Sequence, residues 1–272
     1  MDRRLTPANA RAALTLLQGK VEAGRFTTGE AASLIAPVTD LLNQPEGTRD
    51  RQVLWGEAVT VIDRHKGWAF VQAAKDGYCG YLPETALGPL ASPTHRVTAP
   101  ATHLYDAPKV QARDLASLSL GSLVTVVEDG GKFARTPQGF IPAKHLRPLD
   151  QPLDDAAAVA ELFIGTPYLW GGNSRFGLDC SGLVQAALTA CGKACPGDSD
   201  LQQSVGTALA DDAPVQRGDL LFWKGHVAMA VGPDRLIHAN GHSMSVAYEG
   251  IADCIARVIA QEGRPVLARR RP

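Results

Sequence analysis

The first half of the chain contains an internal repeat that restricts it to small β structures. Residues 56–69 align without gaps on residues 121–134, and both segments begin Gly-x-x-Val-Thr-Val. Both copies then end in Gly-aromatic-aliphatic-Pro, at residues 80–83 and 139–142. Short runs of alternating apolar and polar residues, separated by turn-forming residues, are the pattern of short antiparallel strands. The repeat therefore predicts two small β-barrels.

The repeated pattern resembles bacterial SH3-like domains, which are often attached to cell-wall hydrolases. We place the first barrel at residues 37–92 and the second at residues 93–149. Residues 1–36 contain one helical pattern, over residues 9–17, and we expect them to form an N-terminal helical arm that packs on the first barrel. Prolines follow the second barrel, so residues 150–272 are predicted to form a separate third domain.

In this third domain a glycine-rich loop gives way to a helix at Cys180. Apolar residues, among them Leu183 and Ala187, recur after Cys180 at helical spacing. Asp179 lies at the expected N-cap, which places Cys180 in the first turn. Unpaired backbone N–H groups and the helix dipole favour a thiolate there, and such sites lower the pKa of a cysteine. Cys180 is therefore predicted to be a nucleophile.

Two histidines downstream can supply the base that a thiol nucleophile needs. His226 begins one apolar strand and His238 lies in the next, with Gly232-Pro-Asp as the turn between them. If the hairpin centre falls near Gly232, His226 and His238 lie directly opposite each other on one face of the sheet. The pattern predicts a Cys–His–His site in which His226 is the base and His238 orients it. His242 is the alternative third residue.

Several blocks of the third domain together resemble the NlpC family of papain-like cysteine peptidases. The blocks are Pro167-Tyr-Leu-Trp-Gly-Gly, Leu178-Asp-Cys-Ser-Gly, Gly218-Asp-Leu-Leu-Phe, His226-Val-Ala-Met and Ile237-His-Ala. The resemblance implies an α+β fold and cleavage of the γ-D-glutamyl bond to a diamino acid in bacterial cell-wall peptides. It assigns Cys180 as the nucleophile, with its backbone N–H in the oxyanion hole, and His226 and His238 as base and third polar residue. It also implies that Tyr168 lines the pocket.

The first barrel carries an insertion, within residues 72–79, that the second barrel lacks. In the recycling enzymes that the chain resembles, a glutamate and a tyrosine of the first barrel help to hold the free amino terminus of the substrate. Glu57 and Tyr78 match these positions best. The resemblance assigns Asp179 and Ser181, which flank the nucleophile, to the same amine site. The implied substrate is a small murein peptide, L-Ala-γ-D-Glu-diamino acid.

Composition adds expectations about partners and compartment. The formal net charge is −1, which makes no case for nucleic acid or an anionic membrane as a partner. The N-terminal residues have no apolar core like that of a signal peptide, and five irregularly spaced cysteines do not form a disulfide pattern. We therefore expect a cytoplasmic protein. We expect no cofactor and no metal, because the single Cys191–Cys195 pair is a weak metal signal.

The prediction is a cysteine endopeptidase that recycles cell-wall peptides with a free N-terminal L-alanine. Two alternatives stay open. A thiol amidase or acyltransferase could use the same cysteine and histidines on acylated or glycan-linked peptides. The chain could also be a wall-binding module with an inactive catalytic domain, because SH3-like repeats commonly bind ligands.

Overall fold

The computed structural model describes residues 1–272, which form two compact units, Met1–Leu149 and Asp150–Pro272. The first unit is almost entirely β structure with three short 3-10 turns, and the second combines a sheet with four helices. None of the helices combines the length and the apolar character needed to span a bilayer.

The N-terminal arm contains two short strands, β1 (Ala13–Leu14) and β2 (Phe26–Thr27), and a 3-10 turn at Thr15–Leu17. The predicted helix over residues 9–17 was therefore wrong. The side-chain oxygen of Asn9 accepts the backbone N–H groups of Arg11 and Ala12, each at 2.8 Å, and this local turn competes with a helix. The arm does pack on the first barrel, because Ala12 and Leu14 share an apolar cluster with its residues Ile62, Phe70 and Cys79.

The first barrel is one sheet of seven strands in the order β5-β4-β8-β7-β6-β3-β9. Its strands are β3 (Glu30–Leu34), β4 (Val38–Leu42), β5 (Arg49–Leu54), β6 (Ala58–His65), β7 (Trp68–Ala73), β8 (Cys79–Pro83) and β9 (Leu87–Pro89), with a 3-10 turn at Glu84–Ala86. Alternate residues of these strands form the core, as the period of two predicts. The insertion forms the connection between β7 and β8.

Residues 95–148 repeat this strand pairing. The strands are β10 (His95–Val97), β11 (Ala101–Tyr105), β12 (Asp114–Ser119), β13 (Leu123–Val124), β14 (Glu128–Asp129), β15 (Phe133–Thr136), β16 (Gly139–Pro142) and β17 (Leu146–Pro148), with a 3-10 turn at Ala143–His145. β10 pairs with β13 and β17 as β3 pairs with β6 and β9. β11 pairs with β12 and β16 as β4 pairs with β5 and β8. The sequence repeat is thus also a repeat of topology.

The second unit contains a six-stranded sheet in the order β20-β25-β21-β22-β23-β24. Its strands are β20 (Thr207–Ala208), β21 (Leu220–Trp223), β22 (His226–Ala230), β23 (Arg235–Asn240), β24 (Ser245–Gly250) and β25 (Ala268–Arg271), and a separate hairpin pairs β18 (Asn173–Ser174) with β19 (Gly177–Leu178). The helices are α1 (Ala156–Glu161), α2 (Cys180–Ala190), α3 (Ser199–Gln202) and α4 (Ile251–Glu262).

Helices cover the sheet of the second unit at its centre. α2 contacts β22 and β23. On one face of β22, Ala228 and Ala230 pack in a cluster with Cys254 and Val258 of α4. The intervening residues Val227 and Met229 are also fully buried. Both faces of the central strand are therefore covered.

Candidate active site

The N-terminus of α2 positions Cys180. Asp179 is the N-cap residue, as predicted, and its Oδ1 accepts the Gly182 N–H at 2.6 Å and the Ser181 hydroxyl at 2.9 Å. Its other oxygen, Oδ2, accepts the N–H of Gly171 at 2.9 Å. One buried carboxylate therefore holds both the helix start and the glycine-rich loop around Cys180.

Two glycines allow that loop to pack against the helix without side chains between them. A Cβ atom on Gly182 would collide with the carbonyl oxygen of Gly172, and a Cβ on Gly172 would collide with that of Gly177. Glycine is required at both positions for close backbone approach rather than for an unusual φ angle. Gly172 and Gly182 are therefore needed because the loop backbone packs directly against the first turn of α2, which carries Cys180.

The Cys180 thiol lies where β22 and β23 separate. β22 pairs with β21 from its first residue, His226, but pairs with β23 only over its last two residues. The Ala230 N–H donates to Asp219 of the β21 side, so alternation directs the Val227 N–H toward β23. That N–H is one of the backbone groups that favour the charged form of the Cys180 thiol and so lower its pKa. Cys180, the predicted nucleophile, therefore lies close to Val227, the residue that follows His226.

The structure brings His226 and His238 together, with Nε2 of His226 2.9 Å from Nδ1 of His238. The predicted register was wrong: β22 and β23 pair Ala230 with Leu236, so the hairpin centre lies one residue later than expected. This change shifts the pairing by two residues, which preserves the face. The two histidines are therefore diagonal neighbours rather than opposite residues.

A carboxylate and a guanidinium lie behind His238, and the sequence analysis missed both. His238 Nε2 is 3.1 Å from Oε2 of Glu249 on β24. Arg257 of α4 binds the same carboxylate through two hydrogen bonds, at 2.7 Å and 2.8 Å. Glu249 is the only charged residue of β24. His238 pairs with Ala247, which lies two residues before Glu249 and therefore on the same face of the strand. This charge in the neighbouring strand is the sequence signal that could have identified Glu249.

Burial sets the charge states of Cys180 and His226, the predicted nucleophile and base. It raises the pKa of the Cys180 thiol to about 12, and the negative charge of Asp179 adds to this effect, while backbone N–H groups oppose it. Burial also lowers the pKa of His226 to about 3 and that of His238 to about 4. Burial therefore opposes the low pKa that the position at the start of a helix predicts for Cys180. The resting site holds a neutral thiol and a neutral imidazole at neutral pH.

Tyr168 lies near Cys180, and its place in the substrate pocket stays a prediction. Burial and the nearby charges of Cys180 and Asp179 raise the pKa of its phenol to about 12, so it stays a neutral hydrogen-bonding group. His242, the alternative third residue, lies in the turn after β23 and is exposed. The side chain hydrogen-bonded to His226 is that of His238.

The predicted amine-site residues of the first barrel are both buried. The Glu57 carboxylate pairs with the Lys75 ammonium at 2.7 Å and accepts the Leu54 N–H at 3.3 Å. The Tyr78 ring packs in the barrel core, and the Arg51 guanidinium lies 5.7 Å from the ring centre. Lys75 and Tyr78 both belong to the insertion between β7 and β8, so this insertion supplies a partner for Glu57.

One group of side chains has the composition of a metal site. Ligand atoms of His238, Glu249 and Cys254 all lie within 4.8 Å of one another. Arg257 donates to the Glu249 carboxylate at 2.7 Å and lies 3.7 Å from the Cys254 sulfur, so a fixed positive charge already contacts two of the three groups. A cation would be repelled there, and the group is better described as a hydrogen-bond network.

A cavity of about 340 Å³ opens beside His226. Trp223 and Lys224 line it from the β21–β22 turn, and Arg257 and Arg264 line it from α4 and the residues that follow. Glu262 lines the cavity as well and pairs with Arg264 at 2.7 Å. Cys180 is not among the lining residues, so the cavity lies beside His226 rather than over the thiol.

Comparisons with known proteins decide the family. The profile of the NlpC/P60 family matches residues 165–256, and that of the bacterial dipeptidyl-peptidase Sh3 domain matches residues 41–87. A γ-D-glutamyl-L-lysine dipeptidyl-peptidase of Bacillus cereus is 30% identical over 72% of this chain and 69% of its own length. The chain belongs to the NlpC/P60 family. A Bacillus subtilis protein of the same name is also 30% identical, over 72% of this chain and 73% of its own length.

Membership of the NlpC/P60 family confirms three predictions. The chain is a cysteine peptidase, its catalytic domain is papain-like, and an SH3 domain precedes that domain. A crystal structure of an NlpC/P60 protein from Bacillus cereus has the same fold, with a TM-score of 0.75 and 23% identity over 89% of this chain and 99% of that one. The Sh3 profile matches the first barrel, and the assignment of the second barrel as SH3-like stays a prediction.

Proposed function

We propose that this chain hydrolyses the γ-D-glutamyl bond to an L-diamino acid in murein peptides that have a free N-terminal L-alanine. The main support is the similarity to two proteins named γ-D-glutamyl-L-lysine dipeptidyl-peptidase, which extends over most of both chains. A dipeptidyl-peptidase removes two residues from an amino terminus, and L-Ala-γ-D-Glu is such a unit. The hydrogen-bonded His226–His238 pair near Cys180 supplies chemistry suited to this reaction.

Catalysis begins from the neutral thiol. His226 Nε2 is occupied by His238, so Nδ1 is the atom that accepts the Cys180 proton as sulfur attacks the γ-carbonyl carbon. The Cys180 N–H is at the first helical position, where it has no partner within the helix, and it can donate to the developing oxyanion. Protonated His226 then delivers its proton to the departing amine. Water hydrolyses the thioester with His226 as base.

Recognition of the free amine is the second part of the proposal. The residues that the sequence predicts for it are Glu57 and Tyr78 in the first unit and Asp179 and Ser181 in the second. Glu57 is a buried carboxylate whose partner is the ammonium group of Lys75. A substrate ammonium therefore gains from Glu57 only by sharing or displacing this ion pair.

The proposed substrate is a fragment released from the cell wall, so we infer a role in peptide recycling. The cytoplasmic location expected from the sequence remains a prediction, and immunodetection in fractionated cells tests it. A thiol amidase or acyltransferase of the same family would instead act on acylated or glycan-linked peptides.

Mass spectrometry of cleavage products separates these functions. L-Ala-γ-D-Glu-L-Lys and L-Ala-γ-D-Glu-meso-diaminopimelate are incubated, with and without N-acetylation, with the enzyme or with Cys180→Ala. The proposal predicts release of L-Ala-D-Glu from the free-amine peptides alone, and no release by the variant. Equal cleavage of both forms would contradict amine recognition, and cleavage of the acylated forms alone would favour the amidase.

A further inference from the structure

The hydrogen bonds beyond His226 form a chain with a defined direction. Its members are His226, His238, Glu249 and Arg257, and the His226–His238, His238–Glu249 and Glu249–Arg257 distances are 2.9, 3.1 and 2.7 Å. The end groups fix the direction because a guanidinium can only donate and a carboxylate can only accept. No function assigned above depends on Glu249 or Arg257.

The direction decides where each imidazole proton lies. The carboxylate of Glu249 accepts from His238, so the proton of neutral His238 must be on Nε2. Nδ1 of His238 then carries a lone pair and accepts from Nε2–H of His226. The one ring proton of neutral His226 is therefore on Nε2, and its Nδ1 carries a lone pair. This is the state in which His226 can take a proton from a thiol.

The opposite tautomer of His238 would block the base. If Nδ1 of His238 carried the proton, it would donate to Nε2 of His226, and the proton of His226 would move to Nδ1. An imidazole with its proton on that atom cannot accept the Cys180 proton. Control of one proton on His238 therefore decides whether His226 acts as a base.

We propose that Glu249, held by Arg257, is a positioning residue that sets the tautomer of His238 and thereby keeps Nδ1 of His226 unprotonated. The two hydrogen bonds from Arg257 fix the orientation of the carboxylate, and His238 is only 1% exposed, so water does not compete for its Nε2–H. In this proposal the function of Glu249 is to accept the Nε2–H of His238.

Two substitutions of Glu249 test this function by kinetics. Glu249→Met keeps the length of the side chain but removes the acceptor, and we expect kcat to fall on the order of 10- to 100-fold with little change in KM. Glu249→Gln can place its oxygen at the Oε2 position, where it accepts from His238 and from one Arg257 nitrogen, while its NH₂ group loses the second bond from Arg257. Because the acceptor for His238 is kept, this variant should recover most of the loss of kcat. If Glu249→Gln is as slow as Glu249→Met, charge rather than acceptance matters and the proposal fails.

Glu161 provides a matched control in the same domain. Its carboxylate accepts from Arg217 at 2.7 Å and from the Tyr248 hydroxyl at 2.9 Å, so it resembles Glu249 except that no histidine contacts it. Glu161→Met should leave kcat unchanged at a similar cost in stability. Equal losses of kcat in Glu161→Met and Glu249→Met would show a structural effect and overturn the proposal.

Nitrogen-15 NMR of the histidine-labelled wild-type chain tests the tautomer directly. The proposal predicts the Nε2–H form for both His226 and His238, and a proton on Nδ1 of His238 would overturn it. The kinetic test rests on the proposed peptide substrate, whereas the NMR test does not. If the wild-type enzyme fails to cleave that peptide, the proposed function fails and the tautomer remains open to measurement.

Discussion

Replacing Asp179 by alanine should destabilise the catalytic unit more than loss of an ordinary helix cap. The Asp179 carboxylate caps α2 by accepting the Gly182 N–H and the Ser181 hydroxyl, and its second oxygen accepts the Gly171 N–H. Loss of an N-cap costs about 1 kcal/mol. Gly171 is buried, and leaving its N–H unpaired costs about 1–3 kcal/mol more. The expected loss in unfolding free energy is therefore about 2–4 kcal/mol.

Asp155 supplies the control for this prediction. It caps α1 by accepting the Ala158 N–H at 3.1 Å, but its side chain is 43% exposed. Its ion pair with Arg217 is exposed as well, so Asp155→Ala should cost only about 1 kcal/mol.

Hydrogen exchange at increasing urea concentration, read on peptides from α2, reports the unfolding free energy of the catalytic unit alone. The prediction is a larger loss for Asp179→Ala than for Asp155→Ala. Equal losses in the two variants would refute the argument that Asp179 joins the loop to the helix.

Three further predictions concern packing, acid stability and recognition. Gly182→Ala should lower both stability and kcat, because the added methyl collides with the loop backbone; circular dichroism melting and peptide turnover measure these effects. Burial raises the pKa of Asp219, but hydrogen bonds from Arg271 and from a backbone N–H outweigh it and hold that pKa below its usual range. Its stabilising effect is complete above the unfolded-state pKa near 4 and is lost as pH falls through the lower folded value, so Arg271→Gln should lower stability and shift acid unfolding to higher pH. An unchanged acid transition would contradict this. Glu57→Gln or Tyr78→Phe should raise KM for free-amine peptides, and unchanged steady-state kinetics would remove the first barrel from the substrate site.

Local sequence signals predicted the start of α2, its N-cap and the proximity of the two histidines. The change from a glycine-rich loop to helical spacing located the start of α2 at Cys180, and the N-cap pattern identified Asp179. The strand alternation placed His226 and His238 on one face even though the register was off by two residues, because such a shift does not change the face.

Features that depend on tertiary contacts were not predictable in the same way. The helical pattern of the arm gave way to a turn around Asn9 and strand pairing, since the apolar residues of the arm pack on the first barrel. The pKa of Cys180 was expected to fall, but the degree of burial is set by packing that the sequence does not show. Glu249 lies on β24 and Arg257 on α4, and only the tertiary fold brings them to His238. No local sequence motif links the three residues.

The central claim is that Cys180 is the nucleophile for the γ-glutamyl carbonyl. It is tested most directly by inactivating the enzyme with an L-Ala-γ-D-Glu derivative that carries a chloromethyl ketone in place of the scissile amide. Peptide mapping by mass spectrometry then locates the adduct among the five free cysteines. We predict an adduct on Cys180 alone, formed in step with the loss of activity. An adduct on any other cysteine, or inactivation without one on Cys180, would contradict the account.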